Sequence, residues 1–128
     1  MRVSFFALLL LVGCAATAPH SASPERSDIA RELAGRAAGQ PQSCVSASPS
    51  QNLRIVDSAT LIYGSGRTIW LNRLDAPCPG IRPFDTLIVE VVGAQYCRGD
   101  LVRGLPTGTT IPGPKCRLGN FVPYRLPR

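Results

Sequence analysis

Apolar positions fall into three regimes along the chain. Val3 through Val12 is one apolar run broken only by Ser4, and it follows Arg2 directly. The run is far shorter than the roughly 20 residues a membrane-spanning helix needs. A basic start, an apolar stretch and then small residues is the order of a secretory leader, here residues 1–13. Ala15 to Pro24 consists of small and polar residues with two prolines and one histidine. Such a stretch cannot pack a core, so residues 14–24 read as a flexible tether. Next comes a weak helical period. Ile29 and Leu33 are four apart and share a face with Ala30 and Ala37. Ser23 can cap this helix, Pro24 suits its first position, and Gly39 with Gln40-Pro41 can end it. The spacing predicts one short helix over residues 24–38, which makes 25–40 a helical segment. Gly35 weakens it by about 1 kcal/mol relative to Ala.

From residue 41 the period shortens to that of strands. Leu53–Asp57 alternates at its start. Thr60–Tyr63 and Arg67–Asn72 flank Gly64-Ser65-Gly66 and read as a hairpin. Thr86–Val92 is nearly all apolar, which predicts a central strand covered on both faces. Leu101–Arg103 is a further short strand. Asn120–Arg125 reads as an edge strand, since Pro123 has no N–H for a ladder. The expected fold is mainly β: a small antiparallel sheet, sandwich or barrel of about five or six strands over residues 41–128, preceded by the one short helix.

Leu11-Val12-Gly13-Cys14 closes the leader. This tetrapeptide resembles the lipobox of bacterial lipoproteins. The resemblance implies a diacylglyceryl group on the Cys14 thiol, cleavage after Gly13 and acylation of the new terminus. Ala15, where Asp would retain a lipoprotein in the inner membrane, implies an outer-membrane protein facing the periplasm. The expected first partner is therefore the membrane, through lipid on Cys14.

Cys44, Cys78, Cys97 and Cys116 remain in the exported domain. An even count in an oxidising compartment predicts two disulfides. A domain this small has a thin core, and each bridge adds about 2–4 kcal/mol. No Cys-x-x-Cys occurs, which argues against a redox pair or a zinc knuckle. Three pairings are possible. The expected one joins Cys78 to Cys97, folding the intervening loop back along Thr86–Val92, and Cys44 to Cys116, joining the domain's ends.

Charge adds little. The full chain has 14 basic and 8 acidic residues; losing Arg2 with the leader leaves 13 against 8, a net +5. That is ordinary solubility charge, with some attraction to an anionic envelope component. No run of Arg and Lys marks a nucleic-acid surface, and no nucleic-acid partner is expected.

Catalytic groups are scarce. His20 is the single histidine and lies in the tether, where it cannot be held beside a nucleophile. Asp57, Asp75, Asp85, Glu90 and Asp100 show no spacing that implies a carboxylate pair. Asp57 and Asp75 precede turns, where Asp bonds its own backbone. Glu90 is expected on an exposed strand face. Arg98-Gly99-Asp100 spells an integrin-type tripeptide but suits a turn, and Gly64-Ser65-Gly66 lacks the Lys of a phosphate loop. Trp70 is expected in the core. Exposed, it would form with Arg67 and Arg73 a surface for a glycan or an anionic partner.

Cys44-Val45, Thr60–Tyr63, Leu74–Gly80 with its Cys-Pro-Gly, and Cys116–Phe121 together resemble a group of short exported proteobacterial proteins of unknown function. The likeness spans residues 43–125. It implies a secreted, disulfide-bearing β domain and carries no catalytic residue. The expected function is a non-enzymatic, lipid-anchored binding or structural module of the cell envelope, with no cofactor and no metal, whose partner is an envelope protein or an anionic envelope component. The alternatives are a periplasmic hydrolase inhibitor and an enzyme acting through Glu90 or Asp100.

Overall fold

The computed structural model describes residues 24–128, with side chains from Asp28 onward. The leader, the lipobox Cys14, the tether and His20 lie outside the described residues. Helix α1 is Pro24–Leu33, shorter than its expected end at residue 38. Gly35 stops it by taking a left-handed φ of 70°, the usual conformation just past a helix end. Arg36 N then donates to Leu33 O at 3.1 Å. Ala37, expected on the helix, instead opens strand β1, Ala37–Ala38.

Nine more strands follow: β2 Cys44–Ser46, β3 Leu53–Asp57, β4 Thr60–Tyr63, β5 Thr68–Arg73, β6 Thr86–Glu90, β7 Gln95–Cys97, β8 Leu101–Leu105, β9 Cys116–Arg117 and β10 Phe121–Arg125. The protein is mainly β with antiparallel pairing throughout. A five-stranded sheet runs β1-β10-β5-β4-β3, a ribbon pairs β2 with β7, and a three-stranded sheet runs β6-β8-β9.

Alternation along β3, β4 and β5 sends side chains to both faces of the large sheet. Val56, Ile62, Ile69 and Leu71 meet Ile29 and Leu33 of α1 on one face. Leu61, Tyr63 and Phe121 face the two smaller sheets on the other, where they meet Val45, Val102 and Leu118. The domain is therefore three layers: helix, large sheet, paired small sheets. The apolar face of α1 is short because it covers only part of one sheet face.

The expected hairpin stands. Tyr63 pairs with Trp70, and the connection turns on Gly64 and Gly66, both with positive φ. Arg36 clamps this connection by donating to Gly66 O at 2.8 Å and Arg67 O at 3.0 Å.

Three expectations need correction. Thr86–Val92 is not a central strand. It ends at Glu90 and lies on the edge of its sheet. Leu87 and Val89 pack on the core while Val92 is 93% exposed, so its apolar run was not a sign of cover on both faces. Phe121–Arg125 is internal, between β1 and β5. Pro123 is tolerated because its carbonyl accepts from Gly39 N at 2.7 Å. Its nitrogen points to the same side, away from β5, and the ladder to β5 loses nothing. Finally, the disulfides are Cys44–Cys97 and Cys78–Cys116. Cys44 and Cys97 stand directly opposite each other in the β2–β7 ribbon with Cα atoms 4.1 Å apart, so the strand register decides the first bridge and leaves Cys78 for Cys116.

Candidate functional site

β3 is the outer strand of the large sheet, so one row of its backbone N–H and C=O groups faces away from β4. This edge opens into a groove of about 1020 Å³, lined by residues 52–56, by α1 and by the Pro83–Asp85 turn. Helix α1 forms one wall. Arg54 Nη1 donates to Glu32 Oε1 at 2.8 Å, tying helix to strand. That hydrogen bond, opposed by partial burial and reinforced by the charges of Arg54, Arg36 and Arg31, holds the Glu32 carboxyl below its usual pKa. Arg31 pairs with Asp28 on the same wall.

Phe84 stands on the opposite wall. It is 97% exposed and has a φ of 77°. Asp85 N donates to Arg82 O, and Asp85 Oδ2 accepts from Arg82 N, both at 3.1 Å. Pro83 therefore takes the second position of a four-residue turn and Phe84 the third, where positive φ normally calls for Gly or Asn. A bulky residue there is strained by about 1–2 kcal/mol. The turn holds a large apolar side chain in solvent at the mouth of a groove. A narrower crevice of about 330 Å³ continues between β3 and β6, floored by Leu53, Leu87, Val89 and Tyr96. β6 is likewise an outer strand, so two strand edges unpaired among the described residues flank this crevice.

A separate cleft of about 460 Å³ lies where the β2–β7 ribbon meets the large sheet. Tyr63 is 2% exposed at its base. Its hydroxyl donates to Ser46 O at 2.9 Å and accepts from Ser48 N at 2.8 Å. Its ring meets Tyr96 edge-on, with centroids 5.3 Å apart. Trp70 is half-buried: it packs against the core and also lines the cleft. The expected core position and the expected exposed surface each describe part of this side chain. Neither Arg67 nor Arg73 lines the cleft. Arg67 donates to Pro127 O at 2.9 Å, and Arg73 lies beside Leu71 and Val122 in a shallow depression elsewhere.

The carboxylates singled out in the sequence are mostly occupied. Asp57 Oδ1 accepts from Ala59 N at 2.7 Å, and Asp100 Oδ2 from Cys97 N at 2.7 Å. Glu90 is exposed and bonds Lys115 at 2.9 Å. Arg98-Gly99-Asp100 is a turn, with Gly99 at a φ of 90° and Asp100 N donating to Cys97 O. Among the described residues no three His, Cys, Asp or Glu side chains are grouped to hold a metal, and no helix is long and apolar enough to cross a membrane. Sequence reasoning missed the Phe84 turn. Pro83 was its only legible signal, and nothing in the residue types announces a left-handed Phe.

No family model, no curated protein and no solved structure matches this chain.

Proposed function

We propose that this protein is a non-enzymatic binding module of the cell envelope, held by lipid on Cys14 at the outer membrane and facing the periplasm, and that it takes an extended polypeptide segment of an envelope protein along the edge of β3. The observation that carries the docking reading is the unpaired β3 edge lying in a groove between α1 and the Phe84 turn. An open edge is a template for a further strand: its backbone groups supply affinity and flanking pockets supply selectivity. Phe84 supplies an aromatic anchor on a turn whose backbone is already fixed. Charges along the groove are balanced, with Arg31, Arg36 and Arg54 against Asp28, Glu32 and Asp85, which suits a segment that is mainly apolar. A groove walled on both sides admits one strand more readily than a second whole domain.

Use of Asp57, Asp85 and Asp100 in turns and of Glu90 in an ion pair supports the non-enzymatic reading over the carboxylate enzyme. The two disulfides support an oxidising, exported setting.

Three measurements test this. Intact mass of protein from native membranes, alkylated without reduction, should show cleavage before Cys14, added acyl chains and no alkylated thiol. A photo-crosslinker at Phe84 in living cells should identify the partner. Hydrogen exchange of the purified complex should then protect the amides of Leu53–Asp57. Binding that leaves β3 exchange unchanged rejects strand addition, and a leader retained or cleaved elsewhere rejects the anchor.

A further inference from the structure

The cleft at Trp70 shares no lining residue with the β3 groove, and polypeptide docking on β3 leaves it unused. Its chemistry is of a different kind. One half-buried indole is joined by the amides of Gln42, Gln51 and Gln95 and by the hydroxyls of Ser46 and Ser48. Among the described residues no charged side chain lines it. Each of those amides and hydroxyls both donates and accepts hydrogen bonds.

We propose that this cleft is a binding site for a neutral sugar residue of a glycan. A sugar hydroxyl is donor and acceptor at once, so a wall of primary amides and hydroxyls can match several hydroxyls without a buried charge being left unpaired. Trp70 adds a small apolar contact that a ring C–H group of a pyranose can meet. Phosphate, carboxylate and sulfate groups find no cation in the lining. The cleft volume of about 460 Å³ lies within the range of about 300–1,000 Å³ typical of small-ligand sites.

The walls are preformed. Tyr63 is locked to the 46–48 segment through its hydroxyl, and the Cys44–Cys97 bridge holds the ribbon that carries Ser46 and Gln95. The backbone order is already in place, so the ordering left for binding is that of the Gln side chains. The Ser48 hydroxyl is held by Ser50 at 2.9 Å. The Gln side chains make no hydrogen bond to other described residues and are free to turn toward a ligand.

Trp70 is the chain's single tryptophan, so all indole emission comes from one side chain at this cleft. Purified, disulfide-intact protein is titrated with chitotriose and maltotriose as neutral probes. A sulfated disaccharide and a proline-rich peptide are the counter-probes. A saturable shift of Trp70 emission is expected with at least one neutral oligosaccharide. Gln51→Ala and Gln95→Ala should each weaken it about tenfold, the effect of losing one good hydrogen-bonding partner, while far-ultraviolet dichroism stays that of the parent. By calorimetry, Trp70→Phe should retain part of the binding. Absence of any saturable change through millimolar neutral sugar overturns the proposal. So does a response confined to the sulfated sugar or the peptide, or one that the Gln substitutions leave untouched. Phe84→Asn, which removes the anchor of the β3 groove, should leave the sugar response intact, so the two sites fail or stand separately.

Discussion

Asn72 and Gly119 hold each other by two hydrogen bonds across 47 positions of sequence. Asn72 Nδ2 donates to Gly119 O at 2.8 Å, and Gly119 N donates to Asn72 Oδ1 at 3.0 Å. Asn72 is completely buried, so its amide stands in for a backbone partner that the turn between β9 and β10 could not otherwise reach. Asn72→Ala should destabilise the domain by about 2–4 kcal/mol, because it leaves a buried N–H and C=O unpaired. Gly119→Ala should be comparably harmful, since a Cβ there overlaps the Arg73 carbonyl oxygen. Urea unfolding monitored by Trp70 emission measures both. A change under 1 kcal/mol for Asn72→Ala contradicts the role given to the pair.

Thr60 offers the opposite case. It is 1% exposed, and its Oγ1 has no hydrogen-bond partner among the described residues. Burying a hydroxyl without a partner is unfavourable by about 1–3 kcal/mol on the protein scale. Thr60→Val replaces that hydroxyl with a methyl of similar shape and should be neutral or stabilising in the same urea assay. Marked destabilisation would show that the hydroxyl is bonded in solution.

Phe84 predicts a conflict between stability and binding. Its side chain is exposed, so removing it forfeits almost no packing, while its positive φ carries strain. Phe84→Asn places a residue tolerant of that conformation in the turn. It should raise stability by about 0.5–1 kcal/mol and abolish capture of the β3 partner by a photo-crosslinker placed at Asn52, also in the groove lining. If stability does not rise, the turn is not strained as described. If partner capture survives, Phe84 is not the anchor.

The bridges should differ in their response to reductant. Cys44 and Cys97 are both half-exposed in a two-stranded ribbon, whereas the second bridge has one half-exposed partner, Cys116, and one fully buried, Cys78. Attack by a thiolate requires access to a sulfur. Mild reduction under native conditions, followed by alkylation and peptide mapping, should label Cys44 and Cys97 before Cys78 and Cys116. Mapping without reduction should recover the same two pairs. Simultaneous labelling would mean that both bridges open only by global unfolding.

What the sequence disclosed was local. The mainly β class, the Tyr63–Trp70 hairpin and the Asp57 turn follow from alternation, Gly placement and short-range hydrogen bonding. Partner choice was hidden. Cys44 meets Cys97 because β2 pairs with β7, and no residue in either three-residue strand specifies that partner. The apolar run of β6 could not reveal that its outer face lacks cover, since cover is supplied by other elements. Pro123 suggested an edge strand, yet β10 pairs on both sides: the ring removes one hydrogen bond, not a ladder, and only the position of Gly39 shows on which side. The Trp70 cleft was half legible: its aromatic stood out, whereas its three Gln come from separate segments and meet only in the fold.

Glu32 gives the domain an acid-sensitive joint. Its pKa is lowered in the folded state, first by the hydrogen bond from Arg54. A carboxyl with a depressed folded pKa binds protons more readily when unfolded. Its stabilising contribution is therefore fully present above the ordinary Glu value of about 4.3 and is lost as pH falls through the lower folded value. The pair links α1 to β3 and is partly solvated, so its loss should free the helix without unfolding the sheets. Hydrogen exchange of α1 amides, corrected for intrinsic rates, should rise as pH falls below that range, while exchange in β4 and β5 stays slow. Glu32→Gln should show fast α1 exchange already at neutral pH and no further acid response. If α1 protection in the parent is indifferent to pH there, the helix is held by Ile29 and Leu33 alone, and the Arg54–Glu32 pair does not secure the wall of the β3 groove.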